Sequence, residues 1–153
     1  MHRITLLTVG RLKESWARQA AELYIERLRP HLQLQVMELA PSKGRQAAQQ
    51  QIEESQRLLV MLEKMEGDVI VLDERGKGIT SQNFSTAIAA ARDQGTPLIF
   101  VLGGAYGLTD HVRSRGRLLK LSDMTLPHEL CRVLFLEQLY RAIEIGRGSG
   151  YHH

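Results

Sequence analysis

The sequence is short of the features that staple, kink or anchor a chain. Among its 153 residues there is one cysteine, one tryptophan, four prolines and only 5% aromatic residues. A lone Cys131 rules out an intrachain disulfide and fits a reducing compartment. Its neighbours Leu130, Val133 and Leu134 make it a packed thiol rather than a nucleophile. No apolar run approaches the roughly 20 residues that a bilayer span needs. Met1-His2-Arg3 leads straight into a strand-like run, so no secretory signal is expected and the location expected is cytoplasmic. No pair of His or Cys residues has metal-ligand spacing, so no metal is expected; His152-His153 has the look of a tag remnant. A Gly-Lys-Ser/Thr phosphate loop is missing, as are the three spaced glycines of a dinucleotide site and a Gly-x-Ser-x-Gly elbow. These absences count against nucleotide hydrolysis and hydride transfer, and leave a Ser-His-Asp site open. Without repeats, low-complexity stretches or a shift in composition, residues 1–153 read as one domain.

What is present is ordinary globular composition, 43% hydrophobic and 24% charged, with a formal net charge of +3. That mild basic excess is a weak pointer to an anionic partner such as RNA. The organising stretch is Leu98–Leu102 followed by Gly103-Gly104-Ala105-Tyr106-Gly107. A continuous apolar run predicts a strand buried on both faces. The glycines are expected to turn the backbone with positive φ and to let a ligand approach, or only to make a tight turn.

Along the chain, strands are predicted at Ile4–Val9, Leu32–Leu39, Val69–Leu72, Leu98–Leu102 and Leu118–Leu121. Helices are predicted from Trp16 to Leu28 with Ser15 as cap, from Gln46 to Met65, from Gln82 to Asp93 with Ser81 as cap, from Thr109 or Asp110 to Arg115, and from His128 to Ile145. Pro41–Arg45, Asp73–Gly78 and Ser122–Pro127 read as loops, the first two basic or charged. Alternating strands and helices predict an α/β fold with a mostly parallel sheet and helices on both faces. The last helix is apolar nearly all round, through Leu130, Leu134, Leu139, Ile143 and Ile145 among others. Such a helix must be buried on every side, so a homodimer built partly on it is expected, or else a helix wholly enclosed in one chain. Leu72, the Gly103–Gly107 turn and the Ser122–Pro127 loop all follow strands, so in a parallel sheet they are expected to meet at one edge.

The residues that bear on family are Val71-Leu72-Asp73, Leu102-Gly103-Gly104-Ala105-Tyr106-Gly107, Leu126-Pro127-His128, Arg132-Val133, Glu137–Ala142 and Tyr151-His152. Together with Leu7-Thr8-Val9-Gly10-Arg11-Leu12-Lys13 and Ser42–Arg45, they resemble the ribosomal RNA large subunit methyltransferase H family, the smallest SPOUT-class methyltransferases. Where that family often carries Pro-Glu inside the glycine turn, this chain has Ala105-Tyr106. The resemblance spans nearly the whole chain. It implies a C-terminal trefoil knot, a homodimer and S-adenosylmethionine as methyl donor. It implies as substrate a pseudouridine of large-subunit rRNA in the assembled ribosome, methylated at N3. It also implies that Leu72, Gly103, Gly104, Ser122, Asp123, Met124, Thr125, Leu126 and Pro127 hold the donor.

Methylation at N3 requires loss of a weakly acidic N–H, hence a base or water. His128 either supplies that base or only opens the last helix. Arg132, one turn later, is the first candidate for a phosphate contact; Arg141 is a second, or is paired to Glu137. Tyr151 is expected to stack on a flipped base and His152 to contact RNA or replace His128 as base, unless the terminus is disordered. Lys43, Arg45, Arg75 and Lys77 are expected to face RNA. The rival readings are a non-catalytic RNA- or ribosome-binding module and a different small-molecule α/β enzyme.

Overall fold

A computed structural model describes residues 1–153. Its elements are β1 (Arg3–Val9), α1 (Ser15–Leu28), β2 (Gln33–Leu39), α2 (Ala47–Leu62), β3 (Asp68–Gly78), α3 (Ser81–Asp93), β4 (Leu98–Leu102), α4 (Asp110–Arg113), β5 (Arg117–Lys120) and α5 (His128–Arg147). The five strands form one sheet in the order β2-β1-β4-β3-β5, with every neighbouring pair parallel. All five residues of β4 are buried. It pairs with β1 on one side and β3 on the other, and helices cover both faces, which is why its sequence does not alternate.

Side-chain parity along the strands divides the core in two. Leu6, Leu72 and Phe100 point to the face covered by α1, α3 and α5, through Ala17, Phe84, Phe135 and Leu139. Leu7, Val71 and Val101 point to the face covered by α2 and α4, through Leu58, Leu62 and Val112. Phe100 is the hub of the first layer, with its ring centroid 4.7 Å from Phe135 and 6.0 Å from Phe84. Phe100→Ala is expected to cost about 3–5 kcal/mol through lost burial and a residual cavity. In urea unfolding this appears as a lower midpoint at unchanged slope.

Local chemistry corrects the reading in places. Thr80, not Ser81, caps α3, its Oγ1 accepting the Asn83 N–H at 3.1 Å. Ser15 is already helical; Glu14 holds the cap position without a side-chain bond. The expected loop Asp73–Gly78 instead continues β3, because Leu72 and Lys77 both oppose Leu119 and the residues between them bow out of the ladder. Gly76 permits the bow, since a Cβ there would lie 2.7 Å from main-chain atoms of Leu118 and Leu119. Helix α5 runs on to Arg147 and ends at Gly148, whose φ of 63° suits a left-handed cap. It is flanked by α1 and α3 and packs on the sheet, yet Leu130, Leu134, Ile143 and Ile145 stay only half-buried. No helix is long and apolar enough to cross a membrane.

Candidate active site

Ligands of parallel sheets sit beyond the carboxyl ends of strands, where successive connections leave in opposite directions. That point here lies between β1 and β4. The chain leaves β1 through α1 towards β2 on one face, and leaves β4 through α4 towards β5 on the other. A cleft of about 1440 Å³ opens beside it. Its walls are the segments after β1 (Gly10–Lys13) and β2 (Ala40–Ser42), the turn after β4 (Gly104 and Ala105), and the first turn of α5.

His128 opens α5 directly after Pro127 and faces this cleft. Burial, and then the nearby Arg132 cation, hold its pKa below the ordinary 6.5 against the opposing pull of the Val9 carbonyl, Glu129 and Glu54. The imidazole is therefore neutral at pH 7.

Arg132 lies one turn on and is only 2% exposed. Its Nη1 pairs with Glu38 of β2, and its Nη2 donates to the Gly10 carbonyl at 2.8 Å. The guanidinium is thus bound within the protein and is not free to grip a phosphate, contrary to the expectation from sequence; it ties α5 to the ends of β1 and β2. Glu129 completes the fastening, accepting main-chain N–H groups of Lys13 at 2.6 Å and Glu14 at 3.1 Å. The Glu14 and Lys13 amides lower its pKa.

In the glycine turn, positive φ is found at Gly107 alone, 79°, not at all three glycines. Gly103 and Gly104 are needed for space instead. A Cβ at Gly103 would stand 2.6 Å from Leu108 Cδ2, and one at Gly104 would run into Glu54 Oε1. Glu54, on α2, is 5% exposed and its Oε2 accepts the Ser42 N–H at 2.9 Å.

The three segments expected to meet follow β3, β4 and β5, which are neighbours in the sheet with β3 in the middle, so they leave its carboxyl edge side by side, away from the cleft beside β1. Of the nine residues expected to hold the donor, Gly104 alone lines the cleft. Leu72 and Gly103 are buried in and just after neighbouring strands. Ser122–Pro127 follows β5, the outermost strand, three strand positions from β1. At ~4.8 Å per position that loop starts on the order of 14 Å from the end of β1. Within it Ser122 Oγ accepts the Met124 N–H at 2.9 Å, Asp123 pairs with Lys120, and Met124 is 78% exposed.

Tyr151 and His152 pack on α5 at a distance from His128. The Tyr151 hydroxyl donates to Glu137 at 3.2 Å, and its ring lies 4.9 Å from Tyr140 and beneath the Arg141 guanidinium. Burial and Glu137 push the phenol up to about 12. His152 Nδ1 accepts from Arg141 at 3.0 Å, and its Nε2 lies 3.0 Å from the Gln82 amide. Glu137 and Arg141 stand nine and thirteen residues beyond His128 on α5, about 14 and 20 Å at the helical rise. The tail and the cleft therefore do not form one site within a chain. Arg141 is paired to Glu137 at 2.6 Å. Lys43, Arg45, Arg75 and Lys77 are exposed, with Arg75 also paired to Asp110 at 3.2 Å.

Sequence reasoning missed Glu38, Glu54 and Glu129. Glu54 carried a readable signal: it falls four and eight residues before Leu58 and Leu62, a carboxylate on an apolar stripe. No group of three His, Cys, Asp or Glu side chains converges as metal ligands would.

A family model described as predicted SPOUT methyltransferase matches residues 2–152. Three curated proteins, each named Ribosomal RNA large subunit methyltransferase H, are similar over their whole length. That of Citrifermentans bemidjiense is 43% identical over 153 residues, 99% of either chain. Those of Pelobacter propionicus and Xanthobacter autotrophicus are 40% and 39% identical, covering 99% and 98% of either chain. Among solved structures, a Neisseria gonorrhoeae protein described as of a methylase family superposes with a TM-score of 0.53 at 14% identity. The likeness covers 91% of this chain and 82% of that one and is one of fold alone.

Proposed function

Because the chain belongs to the SPOUT methyltransferases, in the ribosomal RNA large subunit methyltransferase H family, we propose that it methylates N3 of a pseudouridine in large-subunit rRNA, using S-adenosylmethionine. The substrate is the assembled ribosome, in the cytoplasm, and the enzyme is a homodimer. The observation that carries the reading is the place of His128, in a cleft at the switch point of the sheet and beside Gly104, where burial and Arg132 favour its neutral form.

The cleft offers a donor that carries both charges and hydrogen-bonding groups a lining of both signs, Arg11, Lys13, Arg18 and Arg132 beside Glu22, Glu38, Glu54 and Glu129. A Cβ at Gly104 would displace the Glu54 carboxylate, which lies against the Gly104 backbone and lines the same cleft. When bound, the donor supplies a methyl carbon already attached to a good leaving group. The chain's task is then to orient two reactants and to take one proton. His128 accepts the N3 proton, and burial together with Arg132 favours the neutral ring that can do so. Arg132 and Glu129 hold the segment after β1 against the first turn of α5, and so hold that wall of the cleft beside His128.

Leu72, Gly103 and Ser122–Pro127 remain proposed donor contacts, Tyr151 and His152 proposed RNA contacts, and Lys43, Arg45 and Lys77 proposed phosphate contacts. The half-buried apolar residues of α5 are the proposed dimer surface. The C-terminal knot is part of the same reading. Incubating ribosomes with the protein and methyl-labelled donor tests it: label is expected at N3 of one pseudouridine in large-subunit rRNA. Ribosome binding without label in RNA would replace the enzyme with a binding module.

A further inference from the structure

The first half of α2 carries two loops. Gln50 Nε2 donates to the Gly44 carbonyl at 2.7 Å, which holds the basic loop before the helix. Gln51 Nε2 donates to the Tyr106 and Leu108 carbonyls at 3.1 and 3.3 Å, which holds the glycine turn. Ser55 Oγ accepts the Thr109 N–H at 3.1 Å, just beyond the turn. Glu54 joins the two loops: one oxygen accepts the Ser42 N–H and the other lies against Gly104. The turn also closes on itself, the Gly107 N–H donating to the Gly104 carbonyl at 3.1 Å. These bonds fix the main chain on either side of Tyr106 without using its side chain. That side chain is 51% exposed and belongs to neither layer of the core. Ala105, directly before it, lines the cleft together with Gly104 and His128.

A lone exposed aromatic needs no explanation. This one stands on a fixed mount at the lip of a cleft, across one carboxylate from a basic loop. Lys43 and Arg45 of that loop are exposed and, unlike Arg75, unpaired. The carboxylates nearby are occupied: Glu53 accepts from the Ser42 hydroxyl and Glu54 from the Ser42 N–H. The turn itself has no charged residue to repel a phosphate. A flat ring on a fixed main chain, next to free cations, is an arrangement suited to unpaired nucleotides, the ring taking the face of a base and the cations its phosphates.

We infer that Tyr106 stacks on an unpaired base of the substrate RNA next to the target, with Lys43 and Arg45 holding phosphates of the same segment. The inference rests on the proposed function. There the target base reaches His128, and Gly104 and Ala105 share the cleft with it, so an adjoining nucleotide passes over the turn at the lip. Stacking tolerates any base, since each has a π-face. Tyr106 therefore adds affinity and register, and leaves the choice of target to the cleft. A tyrosine has few torsions to freeze, and the mount has already ordered the main chain, so little of the stacking energy is lost on binding. Tyr106 acts on ribosome binding and not on the transfer step. Its loss should raise KM for ribosomes and leave kcat nearly unchanged.

Co-sedimentation of the full-length protein with ribosomes lacking the methyl group, run beside steady-state methyl transfer, tests this. Tyr106→Ala is expected to weaken ribosome binding by about 5- to 100-fold, the range for removing one stacked base, and to raise KM in parallel. Tyr106→Phe keeps the ring and should bind within about twofold of the unaltered protein. Salt separates the two kinds of contact. Lys43→Gln and Arg45→Gln should each flatten the slope of log affinity against log salt by about one unit, whereas Tyr106→Ala should leave it unchanged. Calorimetry with S-adenosylmethionine should give Tyr106→Ala the affinity of the unaltered protein, as an intact turn requires. Unchanged ribosome binding in Tyr106→Ala, or an equal loss in Tyr106→Phe, overturns the inference. So does a loss of donor affinity as large as the loss of ribosome binding, since Tyr106 would then only shape the turn. If the unaltered protein binds ribosomes without methylating them, the proposed enzyme falls, while the part of Tyr106 is still read in binding.

Discussion

His128→Ala is expected to lower the rate of methyl transfer to ribosomes by about 10²–10⁴-fold, the range for removal of a general base. Donor affinity measured by calorimetry should change little, because a missing imidazole removes no contact that carries charge at neutral pH. His128→Asn is the informative companion. Its polar amide keeps hydrogen-bonding groups at the helix start, but it cannot take a proton. If His128 merely opens the helix, His128→Asn will be active; if it is the base, it will be as slow as His128→Ala. The pH profile gives a second readout. The working form is the neutral ring, and burial together with Arg132 disfavours the protonated form. Activity should therefore persist below pH 6.5, and the acid limb of kcat/KM should lie on the acid side of an ordinary histidine.

Arg132→Met should destabilise the fold by about 2–4 kcal/mol and disable the site at the same time. Two groups lose their partner at once, the Gly10 carbonyl and the Glu38 carboxylate, at the wall of the cleft beside His128. The estimate is kept below that for a fully enclosed ion pair because the Glu38 side chain is 35% exposed and partly answered by water. Arg132→Lys should recover part of the stability, through charge, but not the two-pronged attachment. Denaturant melts of Arg132→Met, Glu38→Gln and the double variant would give a coupling of about 1–3 kcal/mol if the two side chains act as a unit. Additive losses would show that they do not. Removing the Arg132 cation also removes one cause of the low His128 pKa, so in any Arg132 variant that retains activity the acid limb moves to higher pH.

The frame of the molecule was legible because it is written in runs of adjacent residues. Leu98–Leu102 could only be a strand covered on both faces, and the alternation of such runs with helical spacing implies a parallel sheet. What could not be read was the order of strands. Placing β1 between β2 and β4 depends on which helix crosses which face, and no local pattern encodes that. Leu72, the glycine turn and Ser122–Pro127 follow three neighbouring strands, as a parallel sheet allows, but the cleft opens beside β1, so of these segments only Gly104 and Ala105 line it. His128 was found because a histidine opening a helix after a proline is conspicuous. Arg132 was found for the wrong reason: its spacing from His128 was right, but its burial depends on Glu38 and Gly10, far away in sequence. The tail was also half read. Tyr151 and His152 are anchored, as their identity hinted, yet on Glu137 and Arg141 and not at the cleft.

The strand order has a consequence for synthesis. Ile4 of β1 finds its second neighbour, Leu98, only 94 positions later. At translation speeds of about 5–20 residues per second, the first strand waits on the order of 5–20 s with one side unsatisfied. During that interval an apolar strip is open to other nascent chains, so slow elongation or fragments terminated before Leu98 should favour aggregation. Conversely, separate polypeptides cut between Asp93 and Leu98 should be insoluble alone and regain structure only when expressed together.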